Sequence, residues 1–234
     1  MSKGVAMVSG ASRGIGAAIA ERLVSEGWKV SLGVRGGKMP EWAATLPSEK
    51  IMACPYDAAA GDQEARWFEE TRARFGPVGC IVANAGIIVT KSVIEAEDAE
   101  VVAMMEVNAF APRRLVRAAW EDLRASGRGR VIIIASLSGK RVKSALSGSY
   151  SMSKFAAVAL AHGIRHAGFD LGVRATAVCP GFVATDMGLS LSDRPAENMT
   201  NPADVARIVS MLIDLPNEAS VAEFAVNCQA EESF

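Results

Sequence analysis

The stretch Val5-Ala6-Met7-Val8-Ser9-Gly10-Ala11-Ser12-Arg13-Gly14-Ile15-Gly16-Ala17-Ala18-Ile19-Ala20 decides the fold. A short apolar run ends in a turn rich in glycine, which passes straight into a helical pattern. Such a turn lets the backbone approach a pyrophosphate, whose charge then sits at the positive end of the helix. Gly10, Ser12, Arg13, Gly14, Ile15 and Gly16 are therefore the first candidate cofactor-binding residues. Their G-x-x-x-G-x-G spacing also suits an ordinary loop. Its place after a first strand and before a helix gives it weight.

Outward from this turn, short apolar runs at 4–9, 28–34, 51–55, 79–83, 130–135, 172–178 and 223–227 read as strands bounded by turn residues. Longer amphipathic stretches at 15–26, 62–75, 97–126, 149–167 and 202–214 read as helices. Asn201 can cap the last of these, and Pro202 suits its first position. This alternation predicts an α/β fold with a doubly wound parallel sheet and helices on both faces. Ligands of such sheets bind at the C-terminal strand ends, near the topological switch point. No repeat or linker divides the chain, and a length of 234 residues suits one domain over 1–234.

Half of the residues are hydrophobic, enough for a sizeable core, and 25 basic against 26 acidic residues leave a net charge of −1. That balance argues against a nucleic-acid partner. The opening apolar run is too short for a secretion signal, and no run approaches the ~18 apolar residues of a membrane span. Cys54, Cys80, Cys179 and Cys228 lie far apart in apolar stretches and read as buried free thiols of a reducing, cytoplasmic compartment.

Chemistry enters with Ser149-Tyr150-Ser151-Met152-Ser153-Lys154, which opens helix 149–167. Tyr150 and Lys154, four apart, share one helix face. A free phenol, with a pKa of about 10, is a poor base at neutral pH. A nearby ammonium and an oxidised nicotinamide both favour the phenolate. A phenol so tuned can deprotonate an alcohol, or protonate the alkoxide formed in carbonyl reduction. The Y-x-x-x-K pattern carries little alone. A serine-bearing strand end before it (Ile134-Ala135-Ser136-Leu137-Ser138-Gly139) and a Pro-Gly strand end after it supply the context.

Taken together, these motifs resemble the short-chain dehydrogenase/reductase family, with landmarks in order from Ser9 to Thr185. The family's turn reads T-G-x-x-x-G-x-G, and Ser9 stands here for its Thr. The resemblance implies a Rossmann-type fold. It implies that Asp57, after the third strand, meets the adenine. Ala83-Asn84-Ala85-Gly86 looks like the family's N-N-A-G with Ala83 at the first Asn; Asn84 would bond neighbouring strands, and Gly86 would leave room for the cofactor. Asn108, unfavourable in mid-helix unless partnered, would kink its helix and hold a water of the proton relay. Pro180-Gly181-Phe182-Val183-Ala184-Thr185 resembles P-G-x-x-x-T, implying that backbone at Pro180, Gly181 and Val183 and the Thr185 hydroxyl meet the cofactor. The catalytic serine usually precedes the tyrosine by about thirteen residues, and here Leu137 stands there. Ser136 keeps the S-x-x-G pattern and implies one extra loop residue, whereas Ser138 implies one fewer; Ser136 is preferred. The catalytic set is thus Asn108, Ser136, Tyr150 and Lys154, the last two also facing the cofactor.

The end of the second strand bears on which nicotinamide binds. NAD-preferring proteins usually place an acid there, for the ribose 2′-hydroxyl. Ser31-Leu32-Gly33-Val34-Arg35-Gly36-Gly37-Lys38 has none before Glu41, and Arg35 is a fork suited to a phosphate. Arg13 can approach the same phosphate. The expectation is NADP(H), with NAD(H) less favoured, and a small-molecule alcohol or carbonyl substrate. The substrate would sit beneath 186–200, where Met187, Leu189, Leu191, Asp193, Arg194 and Met199 favour no single chemistry; Arg194 reads as solvated rather than as a partner for an acid. His162 and His166, one turn apart, read as surface or packed residues rather than metal ligands, and Trp28, Trp42, Trp67 and Trp120 as packing. The resemblance also implies a homo-oligomer built through helices 97–126 and 149–167, a dimer or a tetramer; the ending Glu231-Glu232-Ser233-Phe234 lacks the family's frequent D-G-G. A non-catalytic NADP(H)-binding regulator, and an epimerase or dehydratase on the same scaffold, remain alternatives.

Overall fold

In the computed structural model the described residues run from 3 to 230, so the ending Glu231–Phe234 lies outside them. The strands are β1 (Val5–Ser9), β2 (Lys29–Val34), β3 (Ile51–Pro55), β4 (Cys80–Ala83), β5 (Arg130–Ile134), β6 (Arg174–Pro180) and β7 (Glu223–Val226). They form one sheet in the order β3-β2-β1-β4-β5-β6-β7, and every pairing is parallel. Chain order reverses beside β1, which places the switch point between β1 and β4, where the glycine turn leaves the sheet.

Period-two alternation sends each strand's side chains into two apolar layers. Val5 and Met7 of β1 join one with Ile81, Val107, Leu115 and Ala161. Ala6 and Val8 join the other with Ile19, Leu23, Val205 and Val209. The helices filling these layers are α1 (Gly14–Ser25), α2 (Gln63–Phe75), α3 (Asp98–Met105), α4 (Ala111–Ala118), α5 (Trp120–Ala125), α6 (Gly148–Gly168), α7 (Asp186–Ser190) and α8 (Pro202–Asp214). Helix α8 has the cap expected of it: Asn201 Oδ1 accepts from Ala203 N at 2.8 Å, with Pro202 at the first position.

Three expectations need correction. Helix 97–126 is not continuous. A π-helical turn over Glu106–Phe110 separates α3 from α4, and Ala119 ends α4 before α5. The Asn108 side chain, bonded outside the helix, offsets the cost of the looser turn. The strand expected at 172–178 begins at Arg174 and runs to Pro180, because Gly172 takes a left-handed conformation (φ 78°) that closes the preceding turn. Cys228 is only half-buried, whereas Cys54, Cys80 and Cys179 are buried; it follows the last strand, past the sheet's packing. All four are free thiols. No helix among the described residues is long and apolar enough to cross a membrane.

Candidate active site

The site starts from the glycine turn. Ser9, at the end of β1, is buried. Its hydroxyl accepts from the backbone N–H of Asn84 and of Ala85, each at 3.0 Å. Asn84 returns the bond: its side-chain amide donates to the carbonyls of Ser9 and Gly10, both at 3.1 Å. These bonds lock the ends of β1 and β4 together. The glycines are needed for closeness. A Cβ on Gly16 would lie 2.4 Å from both Asn84 Nδ2 and the Gly10 carbonyl oxygen. Ser12 and Arg13 form the exposed rim of the turn, and Ile15 is half-buried beneath it. Trp42 is not merely packing, because its indole N–H donates to the Ala11 carbonyl at 3.1 Å. Ser9 and Trp42 lay outside the expected site. For Ser9 the signal was its place as the hydroxyl before Gly10; for Trp42, 31 residues beyond Ala11, nothing local gave it.

Opposite the turn stands the end of β6. Gly181 N–H bonds the Val226 carbonyl at 2.8 Å, while Pro180 and Val183 are buried. Thr185 reaches the glycine turn directly: a Cβ on Gly14 would lie 3.2 Å from Thr185 Cγ2. The Thr185 hydroxyl, expected to meet cofactor, accepts from Gly188 N at 3.2 Å and caps α7. The segment 186–200 is closed at its base, since Thr200 N bonds the Phe182 carbonyl at 3.0 Å and Ala184 N bonds that of Thr200 at 2.9 Å. Arg194 is not simply solvated: it donates to Gln229 Oε1 at 2.8 Å.

The two arginines part company. Arg35 is exposed at the end of β2, with no hydrogen bond or ion pair among the described residues. Arg13 instead pairs with Asp186 at 2.7 Å, across the gap between the glycine turn and α7. Both groups are mostly solvated, so the pair is worth at most about 1 kcal/mol. Asp57, half-buried after β3, accepts from Ala59 N at 3.0 Å in a turn of its own.

The candidate reacting groups sit at the end of β5. Tyr150 and Lys154 are buried on the first turns of α6. Lys154 Nζ donates to the Ile134 carbonyl at 2.9 Å and lies 5.7 Å from the centre of the Tyr150 ring. Burial lowers the Lys154 pKa to about 8. Burial raises that of Tyr150 to about 12, opposed by a hydrogen bond with the Ser136 side chain. The lowering of the Tyr150 pKa expected from Lys154 is therefore not seen in the protein alone: burial dominates, and what opposes it is the Ser136 bond. The serine bonded to the phenol is Ser136; Ser138 instead donates its backbone N–H to Ser136 Oγ at 3.1 Å.

Asn108 completes the group. Its Oδ1 accepts from Ile87 N, and its Nδ2 donates to Ile87 O and to Ser153 Oγ, all at 2.9 Å. Ser153 in turn donates to the Tyr150 carbonyl at 2.7 Å. The Asn108 amide thus joins the loop after β4 to helix α6. A Cβ on Gly86 would lie 3.2 Å from Asn108 Oδ1 and 3.6 Å from Lys154 Nζ, so Gly86 keeps the floor beside Lys154 open. The two histidines take no part: His162 Nε2 lies 2.7 Å from Glu223 Oε1, and Lys140 also contacts that carboxylate.

This geometry has relatives. The short chain dehydrogenase family model matches residues 4–196, and the chain belongs to that family. An agropine synthesis reductase of Rhizobium rhizogenes is 36% identical over 228 residues, 97% of this chain and 53% of that protein. The chain thus spans about half the length of the agropine synthesis reductases it matches. Among solved structures, an alcohol dehydrogenase from the archaeon Thermococcus sibiricus, complexed with 5-hydroxy-NADP, superposes with a TM-score of 0.85 at 28% identity, covering 98% of this chain and 99% of that one. An actinorhodin polyketide ketoreductase with NADPH gives 0.84 at 26%, covering 97% of each. The chain is accordingly a Rossmann-type member of the short chain dehydrogenase family, similar in fold to a dehydrogenase and a ketoreductase solved with NADP-type ligands.

Proposed function

We propose that the protein moves a hydride between NADP(H) and the CH–OH or C=O group of a small molecule. The observation that carries this reading is the convergence of buried Tyr150 and Lys154 with half-buried Ser136 at the end of β5, near the switch point. Bound NADP(H) would supply or accept the hydride. The glycine turn, Thr185 and Gly86 leave the close approaches such a dinucleotide needs, and Asn84, Ala85, Pro180, Gly181 and Val183 furnish its walls. In the reducing direction Tyr150, held as a phenol, donates its proton to the developing alkoxide. Ser136 orients the phenol, and Lys154 feeds charge and protons toward it. Asn108 holds the floor. Gly10, Ser12, Gly14, Ile15 and Gly16 cradle the pyrophosphate, and Asp57 faces the adenine.

Arg35, an unpaired fork at the end of β2, favours the 2′-phosphate of NADP(H) over the hydroxyl of NAD(H). Arg13 reaches that phosphate only by giving up Asp186. The dehydrogenase and the ketoreductase of known structure with NADP-type ligands lend support. Exposed Val102, Phe110, Met152 and Phe155 on α3, the π-turn and α6 support a homo-oligomer on that face. The remaining proposals are one catalytic domain over 1–234, cytoplasmic residence and no nucleic-acid or membrane partner.

The test compares kcat/KM for NADPH and NADH with one shared carbonyl substrate chosen from a panel. A charge-assisted bond contributes about 1.5–3 kcal/mol, so NADPH should lead by about tenfold or more. Arg35→Asp should weaken NADPH strongly and leave NADH unchanged or better. Equal values, or a lead for NADH in the unmodified protein, would overturn the assignment of Arg35 while leaving Tyr150 untouched.

A further inference from the structure

Near the proposed adenine side lies an ionic cluster, built on one buried carboxylate, that the proposed chemistry does not use. Glu64, on the first turn of α2, is 2% exposed. A carboxylate so deeply buried needs a partner. Its Oε1 accepts from Arg114 Nη2 of α4 at 3.1 Å and from the Tyr56 hydroxyl at 3.2 Å. The same Arg114 nitrogen donates to Glu106 Oε1 at 2.5 Å. Burial first, and the Glu64 carboxylate second, hold the Tyr56 phenol protonated, so it stays a donor.

Each arm ends at a functional element. Glu106 is the first residue of the π-turn that carries Asn108. Eight positions separate Glu106 from Arg114, so the pair spans the turn like a strut. Tyr56 leads to the cofactor's far end: its backbone N–H bonds the Val34 carbonyl at 3.1 Å, next to Arg35, and Asp57 follows it in the chain. Gln63, beside Glu64 on α2, accepts from Asp57 N at 2.8 Å.

We infer that Arg114 is a positioning residue that ties the Asn108 turn, through Glu106, to the cofactor-facing ends of β2 and β3, through Glu64 and Tyr56. The inference rests on the hydride-transfer reading only for what the two ends do. The linkage itself is a statement about the protein.

Replacing Arg114 would strand a buried carboxylate and risk the fold, so the test cuts the arms one at a time. Glu106→Gln keeps the Arg114–Glu64 pair and loosens only the π-turn. Tyr56→Phe removes only the hydroxyl that serves the β3 end. NADPH affinity is read by fluorescence titration, kcat by turnover at saturating NADPH, and the turn by hydrogen exchange of Ile87 N–H, which is bonded to Asn108 Oδ1. Glu106→Gln should speed Ile87 exchange and lower kcat, each by about tenfold, since small misplacements of positioned groups are costly, while leaving NADPH affinity within about twofold. Tyr56→Phe should weaken NADPH several-fold and leave Ile87 exchange and kcat unchanged. Loss of melting temperature alone in both variants, with affinity, exchange and kcat unmoved, would overturn the inference, as would the two variants exchanging effects. An unmodified protein that binds NADPH but reduces no carbonyl overturns the proposed reaction instead. Exchange and affinity then still decide the linkage.

Discussion

At the scale of single residues, the two ionisable groups at the centre are displaced in opposite directions by one cause. Burial raises the Tyr150 pKa to about 12 and lowers that of Lys154 to about 8. The Lys154 shift has a consequence for stability. Between about 8 and the ordinary 10.5, the unfolded chain keeps a proton that the folded chain has released, so folding is favoured as pH rises through that window. Below it the buried ammonium is a net cost. Urea unfolding of the unmodified protein and of Lys154→Met should therefore diverge in favour of the former from pH 8 upward. A pH-independent difference would show that Lys154 does not titrate there. Ser136 and Ser138 give a second prediction. Ser136 bonds the phenol and Ser138 does not, so Ser136→Ala should lower turnover by at least about tenfold more than Ser138→Ala, within the range of a lost proton-transfer partner. The reverse order would move the catalytic role to Ser138. The Ser136–Tyr150 contact was legible in the S-x-x-G pattern. The Arg13–Asp186 pair was not, because 173 residues separate its members and nothing local to either names the other.

At the scale of elements, the strands were legible because glycine, proline or a polar cluster bounds each apolar run. Helix α8 was legible to the residue because Asn201 and Pro202 mark its start. The resemblance implied a kink at Asn108, but the extent of the break in 97–126 was hidden, because apolar periodicity continues across one inserted residue. Its local signs were Asn108 in mid-helix and Pro112 at the start of α4. Element packing also separates two kinds of glycine. Gly16→Ala would press a methyl against Asn84 and the Gly10 carbonyl, and should destabilise the protein by about 1–3 kcal/mol while weakening nicotinamide binding. Gly163, exposed on α6, has nothing within 4 Å of the place a methyl would take, so Gly163→Ala should stabilise by up to about 1 kcal/mol. Thermal unfolding of the two variants measures both. Equal losses would show that the glycine turn has room the geometry denies.

At the scale of the whole molecule, the sheet order does the gathering. Parallel strands aim every C-terminal end at one edge, where the switch point falls between β1 and β4. The glycine turn, the loop after β4, the Ser136 strand end and the Pro180–Thr185 segment arrive at that edge from four parts of the chain. Helix α6 lies against it, so Tyr150 stands where the proposed nicotinamide end would lie, and Arg35, at the end of β2, where the proposed 2′-phosphate would lie. The order of these landmarks was readable because each follows a strand. Their mutual distances were not, because they depend on register and packing. In the proposed reaction Tyr150 exchanges the proton that accompanies hydride transfer. Turnover of NADPH with a reducible carbonyl, followed by nicotinamide absorbance in the unmodified protein and in Tyr150→Phe, tests it most directly. NADPH should still bind the variant, and its rate should be lower by about 10²–10⁴-fold. Near-normal turnover in Tyr150→Phe would contradict it.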